Sequence, residues 1–185
     1  MLPQVYQEME RKMTKAVEVL KGEYSGIRTG RANPALLEGI RVMSYGSPVP
    51  LNQVAGVSVP EARLLVIQPW DKNLVPEIEK AIQKSDLGLN PINDGKVIRL
   101  PIPALTEDRR HELVKLVKKM SEDGKVAIRN IRREANDEIK KLEKDKKISE
   151  DESKKAHDKT QEFTNKYIAQ MDEALAKKEK EIMEV

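Results

Sequence analysis

Cysteine is absent from this chain of 185 residues, which removes disulfides, thiolate metal sites and cysteine nucleophiles together. Aromatic residues amount to 3%, with a single Trp and a single Phe, so neither a large aromatic core nor a base-stacking platform can be built. No apolar run approaches the ~18 residues of a membrane-spanning helix. The opening stretch, Met1 to Glu10, lacks the basic-then-apolar pattern of a signal segment. A soluble, cytoplasmic protein with no membrane partner is expected. The only histidines, His111 and His157, lie in different charged segments without the carboxylate pattern of a metal site, and both are read as solvated. Gly95-Lys96 lacks the upstream glycine and the following hydroxyl residue of a phosphate loop, and no glycine-rich dinucleotide fingerprint occurs. Carboxylates are plentiful but scattered at spacings that i,i+4 pairing explains. No enzyme, no catalytic residue, no metal and no cofactor are expected.

Proline is unevenly placed: nine of the ten lie between Pro34 and Pro103, and none follows. The proline-free part is rich in amphipathic periodicity. From Thr106 to about Lys147, apolar or small residues recur at Leu113, Val117, Met120, Gly124, Ala127, Ile131 and Ala135, with Ile128, Ile139 and Leu142 continuing the stripe. At ~1.5 Å per residue such a helix is a rod of roughly 60 Å, too long for one compact core. A first helix over 3–27 carries Leu2, Val5, Met9, Met13, Ala16, Leu20, Tyr24 and Ile27. A last helix over 149–184 carries Ala156, Thr160, Phe163, Tyr167, Met171, Ala174, Lys178 and Ile182, and Ser149-Glu-Asp-Glu152 opens it as a capping box. Three such helices bury their stripes only against one another.

The proline-rich middle reads differently. Strands are expected at 40–45, 53–59, 63–68 and 96–102, with turns at Gly46-Ser-Pro, Val59-Pro-Glu and Asn93-Asp-Gly95. A helix is expected over 73–85, with Asn73 as its N-cap and Pro76 in its first turn. Leu100-Pro-Ile-Pro-Ala-Leu105 reads as a stiff return linker. The fold class is therefore α+β. Residues 1–30 and 106–185 form a discontinuous three-helix bundle, 31–105 form an inserted small α/β, sandwich-like domain, and a hinge is expected near 29–31 and 103–106. Gly30 has the clearest physical reason to bend.

The formal net charge is only +3. Its distribution is more telling: residues 125–147 hold nine Lys/Arg against five Asp/Glu, while 148–185 hold seven against ten. At ~100° per residue, Lys125, Arg129, Arg133, Asn136 and Lys140 fall within about 40° of one direction, with Arg132 about 60° aside, towards the buried seam. Guanidinium groups offer planar, bidentate contacts to phosphate. The residues alone leave two readings open, a face that tracks RNA phosphates and a solvated helix face. A coiled-coil protein-interaction module is the alternative function.

Several blocks carry a resemblance: Ile27-Arg-Thr-Gly-Arg-Ala-Asn-Pro34, Lys84-Ser-Asp-Leu-Gly-Leu-Asn-Pro91, Leu100-Pro-Ile-Pro-Ala-Leu-Thr-Glu-Asp-Arg-Arg110, Ala127-Ile-Arg-Asn-Ile-Arg-Arg-Glu-Ala-Asn-Asp137 and Lys144-Asp-Lys-Lys-Ile-Ser-Glu-Asp151. In order and spacing they resemble the bacterial ribosome recycling factors across nearly the whole chain. The resemblance implies an L-shaped, tRNA-sized monomer. It implies a non-enzymatic factor that, with elongation factor G and GTP, splits the post-termination ribosome into subunits and frees mRNA and tRNA. The implied contact is 23S ribosomal RNA of the large subunit. Carried over by motif, Arg132 is the foremost rRNA-binding residue, with Arg129 and Arg133 on the same patch and Arg28, Arg31 and Arg110 as further candidates. For the last three, bracing one segment against another is an equal alternative. The implied hinge residues are Gly30, Arg31, Ala104 and Leu105.

Overall fold

The computed structural model describes residues 1–184; Val185, the last residue of the expected bundle, lies outside the described residues. The chain forms two compact units, one of Met1–Tyr24 with His111–Glu184 and the other of Ser25–Arg110.

The first unit is built from three long helices: α1 (Leu2–Ser25), α3 (Glu107–Lys144, whose first turn falls in the second unit) and α4 (Glu150–Met183). Between α1 and α3 in the chain lies the shorter α2 (Val75–Lys84), part of the second unit. On α1 the buried stripe is Val5, Met9, Met13, Val17, Leu20 and Tyr24. Val17 therefore takes the place expected of Ala16, since the larger side chain points inward. On α3 the stripe is Leu113, Val117, Ser121, Ile128, Ala135 and Ile139, while Ala127, expected on the seam, is exposed. Gly124 lies on that line because α4 comes close: a Cβ there would meet Met171 Sδ at 3.0 Å. On α4 the stripe runs Ser153, Ala156, Thr160, Thr164, Tyr167, Met171, Lys178 and Ile182.

Polar anchors fix the register of the three helices. Tyr24 donates its hydroxyl to the Val117 carbonyl at 2.7 Å, and burial raises its pKa. Thr14 bonds the Tyr167 hydroxyl at 3.0 Å, and Tyr6 sits against Phe163 with ring centroids 6.5 Å apart. The ends are capped as the sequence dictates. Thr106 Oγ1 accepts the Arg109 amide at 3.2 Å, with Glu107 and Asp108 in the positively polarised first turn. Ser149 and Glu152 form the reciprocal capping box.

The second unit holds two antiparallel sheets. β1 (Arg41–Ser44) pairs with β2 (Ser47–Pro50) in one, with Arg41 opposite Pro50 and Met43 opposite Pro48. The other has the order β3–β4–β6–β5, from β3 (Ala55–Glu61), β4 (Leu64–Pro69), β5 (Ile92–Asn93) and β6 (Ile98–Pro101). β2 and β5 were not expected from sequence. Two prolines hide β2, but it has only one neighbour, so the missing N–H groups break no second ladder. β5 is two residues long and has no periodicity to read. Val42, Leu51, Leu65, Ile67, Ile78, Ile82, Ile98 and Leu100 fill the core, with α2 packed against β1.

Two local expectations are corrected. Asn73 is not the cap before α2: Asp71 accepts the Asn73 amide and caps a short 3-10 turn, Lys72–Leu74, that leads into the helix. Nor is 100–105 wholly a linker. Leu100 lies in β6, and Ile102 is buried and donates its amide to the Arg63 carbonyl at 2.8 Å.

Candidate nucleic-acid interface

The basic residues of α3 that the sequence places near one face, over 125–140, fall into two rows. The inner row faces α4. Lys125 meets Asp172 at 2.5 Å and Glu122, on its own helix, at 3.4 Å, and its side chain is only 15% exposed. The Asp172 hydrogen bond is the main reason its pKa is raised. Two turns on, Arg132 Nη1 donates to Gln161 Oε1 at 3.1 Å. Asn136 Oδ1 accepts from Thr160 Oγ1 at 2.7 Å and lies 3.0 Å from His157 Nδ1. Glu143 accepts from Ser153 at 2.9 Å. The outer row is Arg129, Arg133 and Lys140. Arg129 is half-buried and Lys140 exposed, and neither side chain has a hydrogen bond or ion pair among the described residues. Arg133 is exposed and donates to Asn130, one turn back, at 3.2 Å.

This geometry revises the basic face drawn on a helical wheel. Lys125 and the Asn136 side-chain oxygen are not presented outward, because α4 engages them. His157, expected to be solvated, is half-buried against Asn136. What remains with uncancelled positive charge is Arg129, Arg132, Arg133 and Lys140. The partner of Arg132 is a neutral amide, so its charge stays whole. A guanidinium has five N–H donors, and one bond to Gln161 leaves the others available to an anion.

The other sequence candidates lie in the second unit. Arg28 is half-buried and donates to the Leu87 carbonyl at 3.2 Å, which is a bracing contact. Arg31 is exposed. Arg110 is half-buried, and its Nε is out of water without an acceptor. Gly30 has φ +80°, and a Cβ there would meet Leu105 Cγ at 3.2 Å. The backbone angle favours glycine, and any Cβ would also have to push Leu105 aside. Ala104 is exposed. Among the described residues no cluster of His, Asp or Glu could hold a metal ion, and no helix is long and apolar enough to cross a membrane.

Sequence reading missed Gln161 and Asn165. Gln161 Nε2 donates to Asn165 Oδ1 at 2.9 Å, so one amide holds the arginine and the next holds the amide. The signal was the turn: reflecting α3 through residue 148 brings 125, 132, 136 and 143 opposite the neighbourhoods of 171, 164, 160 and 153.

Comparison with known proteins gives one consistent result. The family described as "Ribosome recycling factor" matches residues 20–183. The ribosome-recycling factor of Symbiobacterium thermophilum is 59% identical over 185 residues, covering 100% of both chains. That of Geobacillus kaustophilus is 60% identical over 185 residues, again with 100% of both covered. The solution structure of a ribosome recycling factor superposes with a TM-score of 0.82 at 49% identity, covering 100% of this chain and 98% of that one. A second structure, of the T. thermophilus ribosome recycling factor with E. coli elongation factor G bound to the E. coli post-termination complex, gives 0.70 at 51%, covering 100% of both chains.

Proposed function

Since the chain belongs to the ribosome recycling factor family, whose members are non-enzymatic translation factors that recycle ribosomes, we propose how it does so. It binds the large subunit in the cytoplasm as a monomer and contacts 23S rRNA through α3. It then works with elongation factor G and GTP to separate the subunits and free mRNA and tRNA. The observation that carries the rRNA contact is the arrangement on α3. Arg132 is held by a neutral partner, and Arg129, Arg133 and Lys140 beside it keep their charge. Phosphate recognition needs uncancelled cations, and planar guanidinium groups match phosphate oxygens best.

Of the remaining arginines, Arg28 commits one donor to the Leu87 carbonyl, a bracing contact that leaves its other donors available, and it is assigned to a secondary rRNA contact. Arg31 and Arg110 are assigned to secondary rRNA contacts. Gly30, Arg31, Ala104 and Leu105 are assigned to the hinge, with residues 1–30 and 106–185 as the bundle domain and 31–105 as the inserted domain. The left-handed backbone of Gly30 against Leu105 is the motive for that assignment.

The test is sedimentation of post-termination ribosomes with this protein, elongation factor G and GTP. Free subunits should rise with the wild-type chain and fail to rise with Arg132→Glu. No rise with the wild type would overturn the recycling role on these ribosomes. A full rise with Arg132→Glu would remove α3 from the rRNA contact.

A further inference from the structure

Resting on that reading of Arg132, we infer that Gln161, steadied by Asn165, is a positioning residue that holds the Arg132 guanidinium ready for phosphate without cancelling its charge. Three observations carry this. Arg132 has a long, rotamer-rich side chain whose ordering costs free energy on binding. Among the described residues its side chain's one hydrogen-bond partner is Gln161 Oε1 at 3.1 Å, on α4. Arginine offers only donors, so the glutamine must present its oxygen, and its Nε2 is then committed to Asn165 Oδ1 at 2.9 Å. The amide cannot turn over without losing both bonds.

The chemistry of the partner matters as much as its position. At Lys125 the equivalent partner is Asp172, which cancels the cation. A carboxylate at 161 would pre-order Arg132 equally well, yet it would compete with phosphate for the guanidinium. A neutral acceptor achieves the ordering alone. The RNA-facing surface is therefore a two-helix edge in which α3 supplies the charge and α4 supplies its aim.

The experiment uses the full-length chain and purified bacterial large ribosomal subunits, with affinity measured across a salt series. Gln161→Met keeps the length and removes the acceptor. It should weaken binding about three- to tenfold, the range expected when one long side chain must be ordered on binding. The salt slope should stay as in wild type, because Arg132 keeps its charge. Gln161→Glu should weaken binding and reduce the slope by about one phosphate contact. In an Arg132→Ala background, Gln161→Met should cost nothing further. Gln161 is exposed, so both variants should unfold at the wild-type temperature. If Gln161→Met binds as wild type, or its loss adds in full to that of Arg132→Ala, the positioning role is overturned while the rRNA contact stands. Wild-type affinity for Gln161→Glu would overturn the requirement for a neutral partner. If Arg132→Ala itself binds as wild type, the underlying reading fails instead.

Discussion

Lys125 and Arg132 stand two turns apart on the same flank of α3, both reaching towards α4, and they have opposite fates. Lys125 is enclosed by Asp172 and Glu122 and contributes to helix packing. Arg132 is tethered by Gln161 and keeps its charge. A helical wheel places both near one basic face, but the wheel carries no information about the neighbouring helix. Whether a cation on this protein is mortar or probe depends on the residue opposite it.

The contrast can be broken first at its functional end. Arg132→Glu should weaken large-subunit binding by about ten- to hundredfold, the range for losing hydrogen bonds to a charged group. Lys125→Met in the same assay should stay within about twofold, because its charge is already cancelled. Equal losses would mean that both lysine and arginine face the RNA.

The structural end can be broken through Gly124, whose missing Cβ lets Met171, and with it Asp172, come close to α3. Gly124→Leu should destabilise the helical unit by about 1–3 kcal/mol through overpacking, read from chemical denaturation. The loss should be larger than for the same change at exposed Gly22, where a Cβ meets nothing.

A gentler change, Asp172→Asn, leaves Lys125 without its closest carboxylate. It should cost on the order of 1 kcal/mol in stability, since Asp172 itself is half exposed at 53%. It should also make binding to the large subunit more salt-sensitive, moving Lys125 towards the condition of Arg132.

The smallest expected effect is pH-dependent. The folded state raises the Lys125 pKa, chiefly through the Asp172 hydrogen bond. Its stabilisation is therefore complete below the unfolded value of about 10.4 and disappears as pH rises through the higher folded value. Stability of the wild type should fall faster than that of Lys125→Met above about pH 10. Parallel curves would show that Lys125 gains nothing from its partners.

The long helices were legible because each needs only a repeating stripe, and α4 announces its start with a complete capping box at Ser149 and Glu152. Errors along them were local. Ala16 and Val17 both fit the rhythm, and only the packing of α1 decides that Val17 is the buried one. In the second unit the signal was weaker. β2 is written Ser-Pro-Val-Pro, a pattern that reads as a turn until Arg41–Ser44 is seen beside it. Asp71, two residues ahead of the expected cap, wins because a 3-10 turn precedes α2.

By itself the sequence determined where the helices run, how they begin and that α3 carries excess positive charge, since these follow from local spacing and composition. Tertiary structure alone decided which of those charges survive. Asp172, Gln161, Thr160 and Ser153 meet α3 only because a turn at Asp145–Ile148 folds α4 back along it. Charge is a property of the residue, but free charge is a property of its neighbours.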